Sequence, residues 1–313
     1  MSERIALLAP FPAAVLRERF VDTEVVEAGD DPVGACRGAT MVVADWTGRH
    51  RVEGAILDAL APTCRLVQVP SAGLDGVDLR GLHAAGVPVA NCAGLNDVAV
   101  AEWCVWAAIE GLRRLGGDRE ALAEGDWPGL GTPRFELAGR TVGIVGLGSI
   151  GRAVAHRLSA FDVALRYTSG RRRAPDEERG LGVQWRELDD LVAESQVLVL
   201  ACALTDATRG LLSAERIRRL PTEAVVVNAA RGEVADEVAL AAALAEGRLH
   251  AVVTDVFGEE PPPPEHPLFG VPGATTTPHV AGSTSEAARR IGRRILRNVA
   301  AVVEGREPEG LLP

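Results

Sequence analysis

The chain has 313 residues, 47% of them hydrophobic and 24% charged, with a net charge of −10. That length supports two domains with sizeable cores, and the acidic balance excludes nucleic acid or an anionic membrane as the general partner. All 33 basic residues are arginine, which excludes chemistry that needs a lysine amine (a Schiff base, a pyridoxal-phosphate lysine, a Walker-type phosphate loop) and favours bidentate recognition of carboxylate and phosphate.

In chain order, MSERIALLAP carries an early acid and a short apolar run, and is expected to be a first strand and not a signal peptide. Apolar runs at 5–8, 25–27, 41–44, 66–69 and 87–90 are expected strands, alternating with helical patterns as parallel α/β architecture requires. Cys36, Cys64, Cys92, Cys104 and Cys202 are scattered without metal-ligand spacing, as free thiols in a reducing cytoplasm would be, and no metal is expected. The stretch 97–115, DVAVAEWCVWAAIEGLRRL, is interrupted by Glu102 and Glu110 and falls short of a membrane span. It is apolar on nearly every face, so it is expected to be a helix buried on all sides, by two domains or two subunits.

A polar, Gly/Pro-rich connection is expected over 116–139, followed by strands at 142–145, 163–167, 197–201, 225–228, 251–254 and 275–277. The prolines 261–264 predict an extended, exposed polyproline loop. A last amphipathic helix, about 283–304, is expected to return to the first domain. The domains are then 1–95 with 283–313, and 96–282.

Residues 141–152 read TVGIVGLGSIGR. A strand that runs into Gly146-x-Gly148-x-x-Gly151 and then a helix, with another strand following, gives a glycine triplet meaning as a dinucleotide turn. Gly146 permits the turn, Gly148 lets a pyrophosphate approach the backbone, and Gly151 lets helix pack on strand. Ser149 and Ile150 present amides at the positive end of that helix. About 20 residues on, an acid ordinarily holds the ribose hydroxyls. Here Ser169 stands instead, ahead of Gly170, Arg171, Arg172 and Arg173. A ribose 2′-phosphate would be repelled by a carboxylate and held by Ser169, Arg171 and Arg172, which favours NADP, with NAD possible. The alternative is a solvated loop start balanced by Asp176, Glu177 and Glu178.

Three further strand ends carry reactive side chains, on the edge where doubly wound sheets bind ligands. They are Arg231 in VVVNAARGE, Asp255 and Glu260 in AVVTDVFGEEPPPP, and His279 in TTTPHVAGST. Singly, each has an ordinary reading as a surface charge; together on one edge they mark a site. His50, His83, His156, His250 and His266 lack such a setting and are expected to be surface or packing residues.

The pieces SAGLDGVDL (71–79), GVPVANCAGLNDVAVAEW (86–103), GIVGLGSIG (143–151), NAARGEVADE (228–237), TDVFGEEP (254–261) and PHVAGST (278–284), in that order and spacing, resemble the D-isomer-specific 2-hydroxyacid dehydrogenases. The resemblance implies two Rossmann-like, doubly wound parallel-sheet domains with the active site in the cleft between them: a flavodoxin-like substrate domain and a dinucleotide-binding domain. It implies that Arg231 holds the substrate carboxylate, that His279 is the acid/base with Glu260 as its carboxylate partner, and that Asp255 lies near the nicotinamide carboxamide. It also implies that the backbone of Ala72, Gly73 and Leu74 holds the substrate carboxylate. Cys202, Ala229, His279 and Gly282 complete the expected cofactor-binding set. The 97–115 helix matches the family's dimer helix, so a homodimer is expected. Ser169 departs from the Asp of many members.

The implied activity is NAD(P)-dependent interconversion of a small 2-oxo acid and its D-2-hydroxy acid, of the glyoxylate/hydroxypyruvate reductase type. An NAD-dependent D-2-hydroxyacid or D-3-phosphoglycerate dehydrogenase is the alternative enzyme, and a non-catalytic dinucleotide-sensing protein the alternative of another class. Trp46 is a candidate wall for the substrate's third group, or a packing residue.

Overall fold

The computed structural model describes residues 3–47, 49–60, 63–127 and 133–313, and of Glu120 the backbone only. Met1–Asn96 with Ser285–Pro313 form one compact unit, and Asp97–Thr284 another.

In the first unit, strands β1 (Glu3–Leu7), β2 (Thr23–Glu27), β3 (Met41–Val43), β4 (Leu66–Gln68) and β5 (Val89–Ala90) pair in parallel in the order β2-β1-β3-β4-β5. β3 and β4 are buried along their whole length, as a parallel sheet covered on both faces requires. One cover is the helix Ser285–Val303, whose Ile295, Val299 and Val302 join Ile5, Leu7 and Met41 in one apolar cluster. The chain end then returns to β5, where Leu312 N donates to Val89 O at 2.8 Å and Asn91 N to Gly310 O at 3.0 Å.

In the second unit the strands are β6 (Thr141–Val145), β7 (Ala164–Thr168), β8 (Val183–Trp185), β9 (Val197–Leu200), β10 (Ala224–Asn228), β11 (Leu249–Thr254) and β12 (Ala274–Thr276). They pair in parallel in the order β12-β11-β10-β9-β6-β7-β8. Apolar clusters cover both faces, which is why the Val- and Leu-rich runs of β9, β10 and β11 are buried from end to end. The strand order reverses between β6 and β9, and an open parallel sheet forms its ligand crevice at the carboxyl edge of such a point. Because every strand runs the same way, residues far apart in sequence share that edge.

Three expectations need correction, and on a fourth the chain alone accounts for part: it covers some faces of the helix Asp97–Arg113 and leaves others exposed. Gly111 packs on Val225, Val253 and Ala251, whereas Val98 and Trp106 are 45% and 42% exposed. Its Glu110, read as an interruption, is buried and accepts from Gly116 N at 2.8 Å. The expected connection 116–139 begins instead as a helix, Leu115–Ala123, since its leucine, alanine, arginine and glutamate content outweighs two glycines; residues 128–132 of that connection lie outside the described residues. β8 was not expected, because three residues at a sheet edge are too few to show a period. The prolines 261–264 border solvent, but the segment bends at Pro261 and turns at Pro264 instead of running straight. Among the described residues no helix is long and apolar enough to cross a membrane.

Candidate active site

β6 ends at Val145 and the chain turns at Gly146, φ 95°. A side chain there would meet Cys202 N and Cα at 2.7 Å and Ala201 O at 2.8 Å, just beyond β9. The left-handed conformation and the close approach both demand glycine. At Gly151 a side chain would collide with Gly146 O, so helix and strand meet only because it is absent. Gly148 is different: its backbone is extended, φ −75°, it is exposed, and a side chain would touch nothing within 4 Å. The protein itself makes no demand for glycine at this position. What the missing side chain does is clear the approach to the first turn of the helix Ser149–Leu158, whose leading amides, Ser149 and Ile150 included, have no partners within the helix. The pyrophosphate of a dinucleotide fits that cradle.

Beyond β7, Ser169 Oγ donates to Arg171 O at 2.6 Å, so the hydroxyl shapes its own loop, and Arg171 is exposed. Arg172 forms a two-bond pair with Glu178 (Nε to Oε1 3.0 Å, Nη2 to Oε2 3.2 Å) and lies over the Trp185 ring. The hydrogen bond and charge of Glu178 raise the Arg172 pKa, and Glu178 is held below the usual carboxylate range by Arg172 and by the Tyr167 hydroxyl. The cation that reaches the glycine turn is one sequence reasoning left unassigned, Arg173, whose Nη2 donates to Leu147 O at 2.6 Å. Arg173 Nε is buried and makes no hydrogen bond among the described residues.

Three more strand ends complete the edge. After β10, Asn228 braces the turn, accepting from Ala230 N at 3.0 Å and donating to Arg231 O at 3.0 Å. The Arg231 guanidinium donates to Ala230 O at 2.7 Å, and its charge reaches both Glu260 and His279. After β11, Glu260 accepts from Phe257 N at 3.0 Å on Oε1 and faces His279 Nδ1 at 2.7 Å on Oε2. The hydrogen bond to Glu260 raises the His279 pKa, against burial and the Arg231 charge, which lower it. Burial pushes Glu260 up, but His279 and the Phe257 amide outweigh it and hold Glu260 below its ordinary value. The contact therefore favours the charged pair, with Nδ1 turned to Glu260 and Nε2 as the second ring nitrogen.

His279 sits in left-handed backbone, φ 53°. Asp255, 1% exposed, holds it there: Oδ1 accepts from Thr277 Oγ1 at 2.5 Å and Val280 N at 2.8 Å, and Oδ2 accepts from Ala281 N at 2.7 Å. Sequence reasoning gave Asp255 to the cofactor and missed this bracing of the His279 turn. Cys202, Ala229 and Gly282 are half-buried, beyond β9, β10 and β12. Burial pushes the Cys202 thiol up to about 11, so it is a neutral wall. His250 and His266 are buried, the second beside Glu237.

In the first unit, Ala72, Gly73 and Leu74 follow β4 in a loop pinned by its carbonyls. Ala72 O accepts from Asn91 Nδ2 at 3.2 Å and Gly73 O from Ser71 Oγ at 2.9 Å. Trp46 is 48% exposed and so is not a core residue; its loop is tied by the Asp45 carboxylate to Thr47 N and Oγ1 at 2.8 Å and His50 N at 2.9 Å.

A turn that keeps an anion's path open, on one sheet edge with an imidazole paired to a carboxylate, fits a dinucleotide-dependent oxidoreductase. Residues 105–281 match a family model described as the NAD binding domain of the D-isomer specific 2-hydroxyacid dehydrogenases. A glyoxylate reductase of Aeropyrum pernix is 35% identical over 316 residues, 96% of this chain and 93% of its own. One of Thermofilum pendens is 35% identical over 266 residues, 84% of this chain and 78% of its own. The crystal structure of a glyoxylate reductase from Paecilomyes thermophila has a TM-score of 0.86 at 26% identity, covering 100% of this chain and 98% of that one. The chain belongs to the D-isomer-specific 2-hydroxyacid dehydrogenase family. It is an enzyme of that class, with a domain for a nicotinamide dinucleotide.

Proposed function

We propose that the enzyme reduces a small 2-oxo acid of the glyoxylate or hydroxypyruvate type to its D-2-hydroxy acid, with NADP as the favoured cofactor. The observation that carries the reading is the 2.7 Å contact of His279 Nδ1 with Glu260 Oε2, within the reach of the Arg231 charge. Gly146, Gly148, Ser149, Ile150 and Gly151 would hold the pyrophosphate, with Asp255, Cys202, Ala229 and Gly282 beside the nicotinamide end. A bound nicotinamide supplies the hydride. The chain's own part is to orient and to move a proton. Arg231 grips the substrate carboxylate with a planar fork and fixes which carbonyl face is presented, and the Ala72–Gly73–Leu74 backbone of the first unit would offer its amides to a carboxylate. His279 Nε2–H donates its proton to the developing alkoxide, while Glu260 keeps the ring charged until then.

Ser169 in place of an acid and exposed Arg171 support NADP, and Arg173 adds a cation at the glycine turn. A 2′-phosphate would have to draw Arg172 from Glu178, and that existing pair favours the second reading, an NAD-dependent dehydrogenase. The exposed Val98 and Trp106 support a homodimer through the helix Asp97–Arg113, and free, buried thiols fit the cytoplasm.

Initial rates of NADPH and NADH oxidation with glyoxylate, hydroxypyruvate, pyruvate and phenylpyruvate test the proposal. Faster turnover with NADPH is expected, and the best oxo acid names the substrate class. Equal or better use of NADH removes the NADP assignment. No turnover with either cofactor removes the reductase and favours a dinucleotide-sensing protein.

A further inference from the structure

Glu237 opens the helix Glu237–Ala245, directly after the N-cap Asp236, whose side chain already accepts from Ala239 N at 2.9 Å. An acid in a first helical turn ordinarily faces water near its own amides. This one does neither. Its side chain is 19% exposed, and its oxygens accept from Gly258 N, twenty-one residues away, at 3.1 and 3.3 Å. Behind it stands His266, 7% exposed, with Nε2 3.2 Å from Glu237 Oε2. His266 Nδ1 accepts from Leu268 N at 3.4 Å, while Nε2, for all its closeness to the carboxylate, makes no hydrogen bond among the described residues. The ring packs edge-on against Phe257, with centroids 5.0 Å apart.

The segments joined here are the two that carry Arg231 and Glu260. Between them, Gly232 lies so close to Phe257 and Gly258 that any side chain would collide with their backbone. The loop's successive amides go to two different carboxylates: Phe257 N to Glu260, and Gly258 N to Glu237. If Glu237 is removed, the Gly258 amide is left seeking an acceptor one residue from the amide that Glu260 serves, and the loop keeps its packing on Gly232 but loses its hydrogen bonds to the helix that follows the Arg231 turn. We propose that Glu237, backed by His266, is a positioning residue: it fixes the loop 257–260 against the Arg231 turn and so sets where Glu260 meets His279. The inference rests on the reading of His279 and Glu260 as the acid/base pair.

The test compares Glu237→Ala with Glu237→Gln, whose amide oxygen still accepts from Gly258 N. The readouts are kcat, the dinucleotide Kd and the titration of the His279 ring by NMR, assigned by its loss in His279→Gln. The groups facing that ring are Glu260, Arg231 and Asp255, and none is altered by either variant. Glu237→Ala is expected to lower kcat by about tenfold or more, as small displacements of a catalytic group do. Its His279 titration should move to lower pH with Kd within about twofold, and Glu237→Gln should recover most of both. An unchanged titration and kcat in Glu237→Ala would overturn the proposal. So would kcat, Kd and melting temperature falling together with no rescue by Glu237→Gln, the mark of a purely structural residue. If Glu237→Ala does not fold, His266→Gln is measured in its place: a lowered kcat with the His279 titration moved to lower pH supports the proposal, and no change in either overturns it. Should the wild type turn over no oxo acid, the functional reading falls, while the His279 titration still decides whether Glu237 sets the pair.

Discussion

Glu260 favours the charged form of His279, and that coupling has a sign that rate profiles can read. The His279 value is raised and the Glu260 value lowered, each chiefly through their shared hydrogen bond once burial is overcome. In Glu260→Gln the ring should fall back toward its ordinary value of about 6.5. Under the proposed mechanism reduction needs the protonated ring, so its kcat/KM should decline as pH rises through the folded value, and the variant's decline should begin at lower pH. Oxidation needs the neutral ring, and its rise with pH should also begin earlier. An alkaline limb of reduction that stays put would separate Glu260 from the mechanism. The same shifts act on stability. His279 contributes below its ordinary value and the contribution is lost as pH climbs through the raised one, whereas Glu260 contributes above its ordinary value and its contribution is lost as pH falls through the lowered one. At this scale the sequence singled out Arg231, Glu260 and His279 by strand-end position and residue type, and the structure brings Glu260 and His279 to 2.7 Å within reach of the Arg231 charge. What spacing could not tell is that Arg172 turns to Glu178 while Arg173 reaches Leu147.

The turn between β6 and its helix separates two kinds of glycine, and substitution should separate them as well. Gly148→Ala meets nothing in the protein and keeps an allowed backbone, so it should fold like the wild type. Its dinucleotide Kd, measured by titration calorimetry, should weaken by about tenfold or more, since a methyl then stands where the pyrophosphate approaches. Gly146→Ala must hold a left-handed residue against Cys202, so it should melt early, by at least the roughly 1–2 kcal/mol of the backbone alone. Equal melting of the two variants, or tight binding by Gly148→Ala, would contradict this division. Strands with long apolar runs, such as β9 to β11, were legible because burial on both faces leaves no other composition. β8 and the helix Leu115–Ala123 were not: one is too short to show a period, and the other is masked by the two glycines in its first turn.

For the molecule as a whole, the sequence told that the helix Asp97–Arg113 was apolar but not which of its faces the chain itself covers. That depends on tertiary packing, which places Gly111 on β10 and β11 and leaves Trp106 exposed. If a second copy covers that face, Trp106→Glu should sediment as a monomer where the wild type sediments as a dimer; identical sedimentation would count against the helix as the interface. The left-handed backbone of His279 bears on the whole chain in another way. A non-glycine residue held there costs roughly 1 kcal/mol, a noticeable share of a margin of roughly 5–15 kcal/mol. His279→Gly removes that cost, so it should melt above His279→Ala although both have lost the imidazole. The residue proposed as acid/base thus stands in backbone that favours glycine. Among variants that have lost the imidazole, glycine should therefore be the most heat-resistant and still inactive under the proposed mechanism: at this position endurance and turnover pull apart.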